Sequence, residues 1–190
     1  LNFSTVRILE SIDEKNVVDG CLKGDPKAQE QLYRHFYGYA MSVALRYSPH
    51  RDEALEVLND SFLKVFKNLK KHDRTKSLKA WIRRIVINTA LDKIRRNQKY
   101  AHDTDLENAQ YEVFDESVLD KISADEILEM VQALPDSYRT VFNLYEIEGF
   151  THVEISKHIG IPVGTSKSHL SRAKSRLRQM LSKRMLVETT

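Results

Sequence analysis

A single cysteine, Cys21, occurs in the 190 residues. That excludes an intrachain disulfide and a cysteine-built zinc site, and it fits a reducing compartment. Long apolar runs are missing too: none approaches the roughly eighteen residues of a membrane span, and nothing resembles a signal peptide. The expectation is a cytoplasmic chain with no membrane insertion. Strand-like alternation is absent over any useful length. The seven histidines are scattered, with no HExxH pair, no phosphate-cradling Gly loop and no nucleophile elbow. Neither an enzyme nor a cofactor or metal site is expected.

What is present is charge, and it is segregated. Charged residues make up 30% of the chain and the hydrophobic share is 41%, a polar but foldable composition with a net charge of only +3. Between Lys64 and Lys99 there are thirteen Lys/Arg against Asp73 and Asp92. From Tyr100 to Glu129 the balance inverts to ten Asp/Glu against Lys121. Seven Lys/Arg return between Thr165 and Arg184, with no acid among them. Two basic blocks separated by an acidic one point to two nucleic-acid-facing surfaces and a connector.

The second basic block lies in the most informative stretch, GFTHVEISKHIGIPVGTSKSHLSRAK, Gly149 to Lys174. Thr151 and Glu154 form a capping box, in which each side chain satisfies an orphan amide of a helix start. Val153, Ile155 and Ile159 supply that helix's apolar face. Gly160 ends it, and Pro162 can open the next helix. Leu170, Ala173 and Leu177 then keep an apolar stripe while Lys167, Arg172, Lys174, Arg176 and Arg178 supply charge. This is a helix-turn-helix with a basic second helix, the motif that lays side chains along a DNA major groove.

Upstream, Asp25-Pro26 starts a helix whose apolar positions run from Ala28 to Tyr47. A second helix from about Asp52 carries the stripe Leu55, Leu58, Phe62, Val65, Phe66 and Leu69. Lys70–Ser77 reads as a loop, and Ser77 caps a third helix with Leu78, Trp81, Ile82, Ile85, Val86, Ala90 and Ile94 inside. Trp81 reads as core. Residues 98–122 lack periodicity and read as a linker. Ser123 or Asp125 opens a helix to Leu134, and Ser137 to Glu148 forms the one before the helix-turn-helix. The expected fold is all-α: a lead-in at 1–15, a helical bundle at 16–99, a flexible acidic linker at 100–122, a helix-turn-helix domain at 123–184 and a tail at 185–190.

Laid out in this order, the chain resembles the extracytoplasmic-function (group IV) sigma factors of bacterial RNA polymerase. KGDPKAQEQLYRHF, DEALEVLNDSFLKVFKNL and KAWIRRIVINTALDKIRR are similar to the family's σ2-like half. ALPDSYRTVFNLYEIEGFTHVEISKHIGIPVGTSKSHLSRAKSRLR is similar to its σ4-like half. Asn59-Asp60 stands where Gln-Glu is usual, and His72 where an aromatic is common.

The resemblance implies a promoter-specificity subunit that binds core RNA polymerase (β′ coiled coil and β flap) and promoter DNA, with an anti-sigma protein as a further partner. It implies core binding by Glu56, Asn59, Asp60 and Phe62. It implies minus-10 recognition and melting by Lys71, His72, Arg83, Arg84, Asn88, Arg95 and Arg96, with a base pocket between the 70–77 loop and the helix after it, and Asn88 reading the flipped base. Minus-35 contacts would fall to Lys167, Ser168, Ser171, Arg172, Lys174 and Arg176. Arg172 is the first candidate for a guanine, since a guanidinium matches guanine's two acceptors. Arg139 reads either as a grip on the DNA backbone or as a salt bridge to Glu146 or Glu148. A different class, a free-standing helix-turn-helix regulator with a dimerisation or sensing bundle, would bind promoters without polymerase.

Overall fold

In a computed structural model, which describes residues 12–98 and 123–188, every regular element is helical. In chain order these are α1 (Glu14–Leu22), α2 (Pro26–Tyr47), α3 (Arg51–Asn68) with a 3-10 turn at Leu69–Lys71, and α4 (Leu78–Gln98). After the linker come α5 (Ala124–Gln132), α6 (Asp136–Phe142) running into a π-helical turn at Asn143–Ile147, α7 (His152–Ile159) and α8 (Val163–Glu188). The linker expected at 98–122 lies, after Gln98, outside the described residues, as does most of the lead-in at 1–15.

The start signals act where the sequence puts them. Asp25 Oδ1 accepts from the Lys27 amide at 2.9 Å and opens α2. Ser123–Glu126 and Thr151–Glu154 both close reciprocal capping boxes. Gly160 ends α7 in the left-handed region at φ 75°, where a side chain would be strained. Gly20 is needed for a different reason. A Cβ there would lie 2.6 Å from that of Ala28, so α1 and α2 approach too closely for any larger residue.

Contacts divide the chain into two units, residues 1–44 with 55–89 and residues 45–54 with 90–190. The first is built on Leu32, Phe36, Ala40 and Val43 of α2, Val57, Leu58, Phe62 and Val65 of α3, and Leu78, Ile82 and Val86 of α4, all buried. Tyr33 sets its ring edge-on to Phe62 at 4.7 Å. Three expectations are corrected here. Phe62 is 2% exposed and is core, not part of a docking edge. Leu55, assigned to the inner stripe, is 39% exposed, and Val57 takes the inner place. Trp81, expected in the core, is half-buried against His72 at 5.1 Å.

The second unit centres on Leu134, Tyr138 and Ala173, flanked by Phe142, Leu177 and Met180. Within it, the amides of Gln132 and Asn143 donate to the carbonyls of Leu45 and Arg46 at 3.1 and 2.6 Å, at a helix end that leaves carbonyls without intrahelical partners. Arg139 departs furthest from expectation. It is 1% exposed, and its Nη1 donates to the carbonyls of Gln132 and Leu134 at 2.8 and 2.9 Å while Nη2 pairs with Asp136. It therefore ties the α5–α6 turn together and reaches neither DNA nor Glu146 or Glu148. Burial lowers its pKa, an effect opposed by the Asp136 carboxylate. Val153 is likewise corrected: at 52% exposure it faces outward, and His152 and Ile155 turn inward instead.

Candidate nucleic-acid interface

The first basic surface begins at the loop after the 3-10 turn. Asp73 organises it: Thr75 donates to its carboxylate from Oγ1 at 2.7 Å and from its amide at 3.0 Å, and the Lys76 amide donates to its carbonyl. The two Thr75 bonds, the side-chain one first, hold the Asp73 carboxyl below its ordinary pKa. Arg74 reaches back to pair with Asp19 of α1, and its hydrogen bond lowers the Asp19 pKa in the same way. Ser77 then starts α4, its Oγ accepting from the Ala80 amide.

Between this loop and α1 lies a cavity of about 390 Å³ lined by Glu14, Lys15, Val18, His72, Arg74, Lys76 and Leu78. Both ring nitrogens of His72 are shielded from solvent and have no hydrogen-bond partner. The lining mixes an apolar floor with three cations and one carboxylate, in the size range of small-ligand sites. Asn88 does not line it. It sits ten residues beyond Leu78, about 15 Å along α4, on an exposed face, so it is not a buried amide. The resemblance places one pocket between the loop and α4. The structure instead opens its cavity between the loop and α1 and leaves Asn88 apart from it. Lys71, Arg84, Arg95 and Arg96 are exposed and Arg83 half-buried. Arg95 pairs with Asp92 at 3.5 Å, and Arg96 Nε donates to the Asp92 carbonyl.

On α3, Glu56, Asn59 and Asp60 are all exposed. The Tyr33 hydroxyl donates to Asn59 Oδ1 at 3.2 Å, fixing the amide. Beside them Leu55 and Leu63 stand out at 39% and 69% exposure. Residues 55, 59 and 63 repeat every fourth position and share one face, on which Leu55 and Leu63 flank the Asn59 amide, with Glu56 and Asp60 at its side. Leu63 was not singled out from the sequence. The available signal was a leucine spaced by four from Asn59 on an otherwise polar face.

The recognition helix α8 is 26 residues long, and its cations do not all face outward. Lys167 and Ser168 are exposed, Ser171 is half-buried, and Gly164 one turn earlier is open. Further along, Tyr138 of α6 draws the basic residues in. Arg172 Nη1 donates to its hydroxyl at 3.2 Å, and Arg176 lies over its ring at 5.6 Å. Lys174 pairs with Glu146 at 2.7 Å. The outward, N-terminal stretch is the part that a helix-turn-helix presents to base edges.

Comparison with known sequences decides what this arrangement belongs to. The profile for Sigma-70 region 2 matches residues 32–100, which carry most of α2 together with α3 and α4, and that for Sigma-70 region 4 matches residues 124–177, which carry α5 to α7 and the first half of α8. The chain belongs to the extracytoplasmic-function sigma factors. The sigma-E factor of Salmonella typhimurium is 26% identical over 177 residues, 87% of this chain and 92% of that one. SigW of Bacillus subtilis is 25% identical over 84% of this chain and 91% of its own length. Among solved structures, the sigma factor RpoE of Bartonella quintana, in complex with the anti-sigma factor NepR, covers 80% of this chain and 96% of its own at 20% identity and a TM-score of 0.49. This sigma factor is a promoter-specificity subunit of RNA polymerase, and the region 2 match does not favour the reading of the first bundle as a sensing or dimerisation module. Among the described residues no helix is long and apolar enough to cross a membrane.

Proposed function

We propose that this sigma factor binds core RNA polymerase through the α3 face, sets the N-terminal half of α8 on the minus-35 duplex, and uses the 72–77 loop and α4 at the minus-10 element. The observation that carries the proposal is the pair of region matches in order, each falling on helices with an exposed basic surface. Glu56, Asn59 and Asp60 give the docking face its charge, and Leu55 and Leu63 give it area to bury. Lys167, Ser168 and Ser171 read base edges. Arg172, Lys174 and Arg176 hold phosphates from the flank, exchanging their present partners for DNA, with Arg172 the one suited to a guanine. An extruded minus-10 base enters the cavity beside His72, and Asn88 meets a neighbouring base edge. Lys71, Arg83, Arg84, Arg95 and Arg96 neutralise the strand. Opening is driven by binding, without catalysis by this chain, in the cytoplasm where polymerase works. Control falls to an anti-sigma protein, and residues 100–122 serve as the connector between domains 16–99 and 123–184.

Reconstitution with core enzyme tests this. The protein should form a one-to-one complex with core and open promoter DNA only in its presence. Failure to bind core sinks the proposal. Lys167→Ala should lower discrimination at the minus-35 element. Asn88→Ala should spare core and minus-35 binding but slow open-complex formation, and an unchanged rate would remove Asn88 from the site.

A further inference from the structure

Ser166 is the one α8 residue in the recognition segment whose polar side chain is fully buried, at 0% exposure. A hydroxyl there is not a packing solution, because alanine or valine would fill the space without a polar group to satisfy. Its partner is His152 Nδ1, at 2.9 Å, on the first turn of α7. With the ring proton on Nε2, Nδ1 accepts from the Ser166 O–H. The other face of the ring is held as well: Tyr145 stacks on it with centroids 4.5 Å apart and planes 24° from parallel. Burial first, then the charge of Lys167, lowers the pKa of His152, a shift toward the neutral ring.

Tyr145 belongs to the π-helical turn, and so does Glu146, which pairs with Lys174 at 2.7 Å. Adjacent residues of that turn thus hold α8 at two points, one directly and one through His152 and Ser166. Ser166 and Lys174 are eight residues apart, about 12 Å of helix. Two anchors at that separation set both the tilt and the rotation of a rod. Ser166 directly precedes Lys167 and Ser168, so a rotation of α8 about its axis changes where those side chains point.

We propose that His152 is a positioning residue for promoter recognition, fixing through Ser166 the orientation in which α8 presents Lys167 and Ser168 to the minus-35 duplex. This rests on the reading of α8 given above. The test uses holoenzyme and a promoter duplex selected with the wild-type protein, together with the same duplex carrying a scrambled minus-35 element. His152→Ala and Ser166→Ala should each reduce the matched-to-scrambled affinity ratio about two- to tenfold, the range that one net hydrogen bond converts to. The double variant should lose no more than the larger single loss. His152→Asn, whose Oδ1 can accept in place of Nδ1, should restore the ratio to within about twofold. Core binding should not change. An unaltered ratio, losses that multiply, or a fall of equal size on the scrambled duplex overturns the proposal. Should His152→Ala fail to fold, Ser166→Ala removes only one oxygen and carries the test. Nitrogen NMR of the His152 ring in the full chain adds to it, since a proton on Nδ1 at neutral pH would also overturn the inference. Lys167→Ala separates the two claims: if it leaves the ratio intact, the reading of α8 fails, and if it alone lowers the ratio, only the role of His152 fails.

Discussion

Replacing Arg139 by methionine should unfold the C-terminal helices while leaving the first unit folded. Methionine keeps the length and the apolar stem but donates nothing, so the carbonyls of Gln132 and Leu134 lose their partners at a buried site. A hydrogen bond from a charged donor contributes about 1.5–3 kcal/mol, so the two carbonyl bonds alone set a loss of about 3 kcal/mol or more. The Asp136 pair adds less, because the Asp136 side chain is 44% exposed and its charge is screened by water. The segment that holds α5 to α8 spans some sixty residues, and a segment of that size has a total stability of only about 3–9 kcal/mol, so most of it goes. In urea or heat the far-ultraviolet signal should develop a separate early transition. Trp81 is the sole tryptophan and lies in the first unit, so its fluorescence should keep the wild-type midpoint. Arg139→Lys should be nearly as damaging, because a single ammonium cannot reproduce the fork that spans two carbonyls and a carboxylate. The reasoning is refuted if either variant unfolds within about 0.5 kcal/mol of wild type. If DNA affinity then fell evenly on all sequences, Arg139 would be a phosphate contact after all.

Neighbouring residues on α3 should separate in the same way. Phe62→Ala should cost about 3–5 kcal/mol of stability through the cavity it leaves, whereas Leu63→Asp should unfold with wild-type midpoints yet weaken the complex with core polymerase. Equal effects on stability would contradict the burial pattern. Acid should loosen the helix starts of the second unit. Hydrogen bonds from Ser123 and Thr151, the backbone ones first, hold Glu126 and Glu154 below their ordinary pKa of 4.5. Carboxyls depressed on folding stabilise the protein above that value, and the contribution is lost as pH falls through it toward the lower folded values. Thermal midpoints should thus be flat above about pH 5 and fall below it. Glu126→Gln with Glu154→Gln should flatten that fall, because glutamine still closes the box and does not titrate. An undiminished fall would assign the acid sensitivity to other carboxyls, such as Asp19 and Asp73.

The sequence by itself determined the elements and the order of the two functional parts. Asp25-Pro26, Thr151–Glu154 and Gly160 act locally: each satisfies or releases backbone groups within four residues, so their meaning needs no knowledge of the fold. The segregation of charge and the helix-turn-helix were legible for the same reason.

What only the tertiary structure decided is which face of each helix turns inward. A stripe spaced by three and four is about 100° wide, and its edge residues can go either way. Phe62 fell inside that edge, against Tyr33, while Leu55 and Val153 fell outside. Long-range partners were equally invisible. Arg139 looks like any surface arginine until the α5–α6 turn folds its carbonyls around it. Nothing local ties Lys174 to Glu146 or His152 to Ser166. These contacts join residues from 5 to 28 positions apart, and they decide which cations of α8 are tied to neighbouring helices and which stay exposed.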